Sequence, residues 1–163
     1  MIIRPLLKED YTHCAQIYQD GLDTGMATFE TIVPDWMSWN AKFLEQCRFV
    51  AIKEEVILGW VALTPFSTRE VYKGVAEVTL YISKIARGKG VGRALLMTAI
   101  KESERAGFWT LQAKIFAQNE ASIALFQKCG FRIVGVREKL AMRDGIWHDN
   151  VLLERRSELF YVV

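Results

Sequence analysis

The chain has 163 residues, of which 51% are hydrophobic and 25% charged, enough for one buried core and too apolar for a disordered polymer. Its 21 basic and 19 acidic residues leave a formal charge of +2, which excludes the basic footprint of a nucleic-acid partner. No run of about eighteen apolar residues offers a membrane span, and Arg4 and Pro5 interrupt the apolar start, so the expectation is one cytoplasmic domain over residues 1–163 with no membrane partner.

Residues 2–4 read as a short first strand. Residues 8–22 carry Tyr11, Cys14, Ala15, Ile17, Tyr18 and Leu22 at the spacing of an amphipathic helix that stops near Gly21 or Gly25. Pro34-Asp35 opens a second helix, with Trp36, Met37, Trp39, Phe43 and Leu44 as its apolar face. The period then changes: residues 49–53 and 56–63, joined by Glu54-Glu55, predict an antiparallel hairpin. In the strand at 75–82, Val78, Leu80 and Ile82 face one way and Glu77, Thr79 and Tyr81 the other. A glycine-rich turn at 87–92, a helix to about Ala106, a strand at 110–116, a helix at 119–128 and strands at 131–137 and 148–154 follow. This β-α-α-β-β-β-α-β-α-β-β order predicts a mixed α/β (α+β) sheet, mostly antiparallel and flanked by helices.

Cys14, Cys47 and Cys129 are an odd number at wide spacings, which suits reduced, buried thiols better than a disulfide framework or a CxxC metal site. His13 and His148 stand too far apart in sequence to suggest a metal cluster or a triad by themselves, and both read as structural.

The sharpest local feature is the loop Arg87-Gly88-Lys89-Gly90-Val91-Gly92-Arg93, between a strand and a helix. Glycine permits close approach of backbone N–H groups to a ligand, the helix start adds roughly half a positive charge, and three cations surround it, so a phosphate is the natural occupant. Spacing excludes two common phosphate loops. From Gly88 or Gly90 the sixth position of a G-x-G-x-x-G fingerprint falls on Arg93 or Leu95, and Lys89 precedes Gly90 rather than the Ser or Thr of a Walker A loop.

Arg87-x-x-Gly90-x-Gly92 in this setting resembles the acetyl-CoA pyrophosphate loop of the GNAT superfamily of N-acetyltransferases. The run from Asn119 through Ser122, Leu125, Phe126 and Gly130 to Phe131 resembles that superfamily's second cofactor segment. Glu77 within its strand, and the Ile-Arg-Pro start followed by a helix with Tyr18, resemble the phosphinothricin acetyltransferase-like branch; the likeness runs from residue 1 to about 156. It implies the GNAT fold, acetyl-CoA as cosubstrate without a metal, a small amino-acid-like amine as acceptor, and a homodimer.

Residue roles follow from the resemblance. The backbone of Leu80, Tyr81 and Ile82 is expected to pair with the pantetheine arm like an added strand. Gly88, Lys89, Gly90, Val91, Gly92, Arg87 and Arg93 take the pyrophosphate. Asn119 bonds the cofactor near the thioester and is also a favoured N-cap, while Lys128 contacts the cofactor from the same helix. Glu77 is expected to be the general base, with Val78 and Thr79 beside it and strand-end N–H groups stabilising the oxyanion. Phe29, Trp36, Met37 and Trp39 read most simply as core packing, while the resemblance implies that Phe29, Glu30 and Trp36 help roof the acceptor pocket. Ser67 stands where close relatives carry an acceptor-binding Arg, leaving Arg69 or Lys73 to replace it. Phe126 stands where many members have Tyr, so no general acid is assigned. The three cysteines have no base partner in their segments, which favours direct attack over a thiol intermediate. Acetylation of protein N-termini or a polyamine, and a non-catalytic CoA-binding module, are the alternatives.

Overall fold

Strand β1 (Ile2–Pro5) is followed, after one 3-10 turn, by helix α1 (Tyr11–Leu22). The helix starts three residues later than its apolar spacing suggests because Asp10 closes a turn first, accepting from the Leu7 N–H at 2.8 Å and from both Arg4 amino groups at 2.7 and 2.8 Å. Helix α2 (Trp36–Lys42) is capped by the Asp35 side chain, which accepts from the Ser38 N–H at 2.8 Å. It is shorter than its apolar run: Met37 is exposed, and Phe43 packs after the helix has ended.

Strands β2 (Phe49–Lys53) and β3 (Val56–Pro65) form the expected hairpin, closed by Glu54 and Glu55, both at positive φ. Strand β4 (Val75–Ile82), helix α3 (Val91–Arg105), strand β5 (Thr110–Phe116) and helix α4 (Glu120–Lys128) follow as the sequence indicates. The last two strands are longer than expected, β6 (Arg132–Arg143) and β7 (Ile146–Arg156). Their Asp144-Gly145 turn, with both residues at positive φ, is a two-residue hairpin signal, but a register shift between Arg137 and Ala141 breaks the alternation that would have extended the strand. His148 consequently sits inside its strand rather than opening it.

The computed structural model describes residues 1–160. The apolar end at 159–163 therefore lies partly outside the described residues; Leu159 is exposed and Phe160 lies edge-on to Trp109. The seven strands form one sheet in the order β1-β2-β3-β4-β5-β7-β6, in which the β4/β5 pair is parallel and every other pair antiparallel. Helices cover both faces of this sheet.

Alternation along the strands divides the interior in two. Val61, Leu63, Ala76, Val78, Ala113 and Ile115 pack against Val91, Leu95, Leu96, Ala99 and Ile100 of α3 and Phe126 of α4. The opposite face buries Val50, Trp60 and Ala62 against Tyr11, Cys14, Ile17, Tyr18 and Leu22 of α1 and Trp39 of α2. Trp60 organises this second core, with ring centroids of Tyr18, Trp39, Phe43 and Tyr81 5.2–5.9 Å away and its indole N–H donated to the Cys14 carbonyl at 3.1 Å.

Candidate functional site

Strand β4 is held to β3 along its whole length, from Pro65 opposite Ala76 to Gly59 opposite Ile82. Strand β5 is held equally to β7, from Thr110 opposite Arg156 to Phe116 opposite Asn150. Between them the parallel pairing ends at Glu77 opposite Gln112, so the two strands diverge beyond that point. The backbone edge of β4 from Val78 to Ile82 therefore keeps unpaired groups facing the gap, the condition for an extended ligand to join as a strand.

A cavity of about 860 Å³ fills this gap and is lined by Val78, Thr79, Leu80, Tyr81 and Ile82 on one side and Ala113, Lys114 and Ile115 on the other. Its far end is the start of α3, where Arg87, Gly88, Gly90, Val91, Gly92 and Arg93 line it. Gly88 and Gly90 have φ of +71° and +80°, and a Cβ built on either meets nothing within 4 Å, so backbone conformation, not crowding, demands glycine there. The first N–H groups of α3 have no partner inside the helix and form an anion site together with the two arginines. Asn119 and Lys128 line the same cavity from α4. The Asn119 side-chain oxygen caps the helix by accepting from the Ser122 N–H at 3.2 Å, and its amide donors remain for a ligand. An elongated molecule with an anionic end fits this shape and charge.

A second cavity, of about 500 Å³, opens on the α1/α2 side and is lined by Lys42, Thr64, Pro65, Phe66, Glu77, Gln112, Lys114 and Arg137. Lys42, Thr64, Glu77 and Lys114 line both cavities, which therefore meet at the Glu77 carboxylate. Glu77 Oε2 lies 2.8 Å from Lys114 Nζ and accepts from Gln112 Nε2 at 2.9 Å, while Oε1 carries neither contact. Beside it, Glu30 accepts from the Tyr18 hydroxyl and pairs with Lys42. Burial pushes the Glu30 carboxyl up, but the Lys42 and Tyr18 hydrogen bonds outweigh it and hold the group below the usual carboxylate range. Burial raises the Tyr18 and Tyr81 phenols, and both stay protonated at neutral pH.

The structure gathers most of the residues expected from sequence. Glu77, Val78, Thr79, Leu80, Tyr81, Ile82, Glu30, Asn119 and Lys128 line the larger cavity with the glycine loop. Lys89 is exposed and lies outside the lining. Phe29 packs at a tilt against Phe116, ring centroids 4.4 Å apart, and Trp36 packs between Tyr11 and Trp39. Arg69 and Lys73 line neither cavity: the Arg69 guanidinium lies over the Tyr72 ring at 5.4 Å, and Lys73 pairs with Glu70 at 2.7 Å. The three cysteines are buried and free, and burial pushes Cys14 up to about 12 and Cys47 to about 11, which leaves no ready thiolate. His13 is exposed, whereas His148 is buried, stacked on Phe116 at 4.7 Å.

Sequence reading missed Gln112, Lys114, Lys42 and Arg137. The first two carried a signal, since they are polar residues that alternate with the apolar Leu111, Ala113 and Ile115 of the same strand. Arg143 was missed as well. Its buried guanidinium donates to the carbonyls of Thr28 and Leu22 at 2.6 and 2.7 Å, fastening the segment that carries Glu30 to the β6/β7 hairpin.

The Acetyltransferase (GNAT) family matches residues 6–131. The chain is 31% identical over 159 residues to the phosphinothricin N-acetyltransferase of Alcaligenes faecalis, a match that covers 94% of this chain and 81% of the relative. Its fold matches that of a GNAT superfamily phosphinothricin acetyltransferase from Sinorhizobium meliloti, solved in complex with acetyl-CoA, with a TM-score of 0.87, 27% identity and coverage of 95% and 87% of the two chains. A ribosomal-protein-alanine N-acetyltransferase from Brucella melitensis is also similar, with a TM-score of 0.87, 27% identity and coverage of 96% and 100%. With the family model spanning most of the sequence and the fold matching a solved member of it, the chain belongs to the GNAT acetyltransferase family.

Proposed function

We propose that this chain is a single-domain N-acetyltransferase that moves acetyl from acetyl-CoA to the α-amino group of a small amino-acid-like acceptor of the phosphinothricin, methionine sulfone or methionine sulfoximine type. The observation that carries the reading is the position of Glu77, at the point where β4 and β5 part and the two cavities meet. The larger cavity suits the cofactor: Arg87, Gly88, Gly90, Gly92 and Arg93 would hold the pyrophosphate, and the free edge at Leu80, Tyr81 and Ile82 the pantetheine arm. Acetyl-CoA supplies an activated thioester.

The chain's own residues then perform proton transfer and positioning. An α-amino group has a pKa of about 7.7–8.0, so roughly a tenth or more is neutral at pH 7 and a modest base suffices. Glu77 takes the proton from the attacking nitrogen, directly or through one water, as the new amide bond forms and the thioester carbon–sulfur bond breaks. Unpaired N–H groups of β4 stabilise the negative charge developing on the carbonyl oxygen. Attack is direct, because the buried cysteines offer no nucleophile.

Three buried free thiols also suit a reducing cytoplasm. A homodimer completes the reading, supported by the outer strand β6, whose exposed apolar side chains Ile133, Val134, Val136 and Leu140 a second copy would cover. The test is release of CoA thiol from acetyl-CoA with the three acceptors above. Turnover with at least one of them is expected. Turnover only with an alanine-led peptide would favour the second reading, to which the Brucella melitensis likeness points, and acetyl-CoA binding without any release would leave a CoA-binding module.

A further inference from the structure

We propose that Lys114 makes the enzyme selective for zwitterionic acceptors by exchanging ion pairs. The acceptor's ammonium takes the place of Lys114 at Glu77, and its carboxylate takes the place of Glu77 at Lys114. The inference rests on the function proposed above and names what its acceptor must carry.

Four observations support it. The carboxylate expected to receive the amine already has a cation, with Lys114 Nζ 2.8 Å from Glu77 Oε2. Both partners line both cavities, so the pair stands where an acceptor must arrive. Both side chains are partly exposed, 39% for Lys114 and 26% for Glu77, and an ion pair so close to solvent is cheap to open. The lining of the smaller cavity carries Lys42, Lys114 and Arg137 against the single carboxylate of Glu77, an excess of positive charge that invites an anion. Lys42 is already committed to Glu30, whereas Arg137 forms no ion pair among the described residues.

The exchange conserves charge. Two cations and two anions face one another before and after it, provided that the acceptor's ammonium and carboxylate lie as close together as Glu77 and Lys114 do. Groups borne on one α-carbon satisfy that condition. A polyamine or the N-terminus of a peptide brings the ammonium without the adjacent carboxylate. It would leave Lys114 and the incoming cation competing for Glu77, which is repulsive in a partly desolvated site. The same geometry explains why the cation missing at Ser67 need not be replaced by Arg69 or Lys73, neither of which reaches the cavities.

The experiment compares methionine sulfone with its carboxamide, which keeps the amine and loses the carboxylate, in wild type and in Lys114→Gln at saturating acetyl-CoA. Wild type should favour the acid in kcat/KM by roughly 10–100-fold, the scale of one hydrogen bond between charged groups. Lys114→Gln should cut that preference by about the same factor, and Lys114→Arg should retain most of it. The KM for acetyl-CoA should change less than the acid preference in both variants, because the pyrophosphate end of the cavity is untouched. The amide's less basic amine alters reactivity equally in every enzyme form, so the change in ratio isolates Lys114. A wild type indifferent to the carboxylate, or a preference that survives in Lys114→Gln, overturns the inference while the proposed function stands. A wild type that acetylates neither compound nor the other two amino acids overturns both.

Discussion

The two faces of the sheet are built from different materials and, on the proposed reading, serve different substrates. Toward α3 and α4 the core is aliphatic, with Leu95, Leu96, Ala99 and Ile100 against Val61 and Leu63, and it ends in a glycine loop whose donors belong to the backbone. Toward α1 and α2 the core is aromatic around Trp60, and it ends in charged side chains, Glu77, Lys114, Glu30 and Lys42. Backbone donors fixed by a helix start suit one group shared by every cofactor molecule. On the proposed reading, side chains of three elements and of the segment before α2 recognise the acceptor, and they can change without disturbing the glycine loop. The comparison predicts that damage to each face is read out on its own substrate.

Trp60→Ala should have the largest effect. It removes a fully buried ring with four aromatic neighbours and leaves the Cys14 carbonyl without its donor, at a cost of about 3–5 kcal/mol. Denaturant unfolding measures it, and a loss below about 1 kcal/mol would show that the aromatic face does not depend on this side chain. Arg93→Gln should weaken acetyl-CoA binding by roughly tenfold and reduce its sensitivity to salt, with the acceptor KM unchanged. An equal rise in both constants would break the separation of the faces.

The smallest effect concerns pH. The Arg4 guanidinium beside Asp10 holds that carboxyl below its usual range. Its contribution is present above the unfolded value of about 3.9 and is lost as pH falls through the lower folded value. Asp10→Asn should therefore lower stability at pH 6 by at most about 1 kcal/mol, because Arg4 is partly exposed, and by progressively less in acid. Melting temperatures at pH 6 and pH 3 check it; a larger difference between wild type and variant in acid would reverse the sign.

The same contrast explains what was legible in the sequence. Arg87 to Arg93 and Asn119 with Ser122 are contiguous segments whose chemistry is complete within a few residues, so the proposed cofactor side is legible along the chain. The acceptor side is assembled across the sheet. Glu77 meets Gln112 because β4 and β5 pair in parallel, and Arg137 joins the cavity because β7 lies between β5 and β6, facts that no local pattern states. Arg69 and Lys73 looked suitable because they precede the glutamate strand in sequence, but the 3-10 turn at Glu70–Tyr72 ties them to Tyr72 and Glu70. The elements themselves were largely readable, except where the irregular register near Arg137 masked the length of the last hairpin.

The central claim, that Glu77 performs the proton transfer where the two cavities meet, is tested most directly by Glu77→Gln. Its kcat with a productive acceptor and its affinity for acetyl-CoA should be measured on the same preparation. The amide keeps the shape and a contact to Gln112 but cannot take a proton. The account predicts a fall in kcat of at least about 100-fold with acetyl-CoA affinity within about twofold of wild type. An unchanged kcat would contradict it.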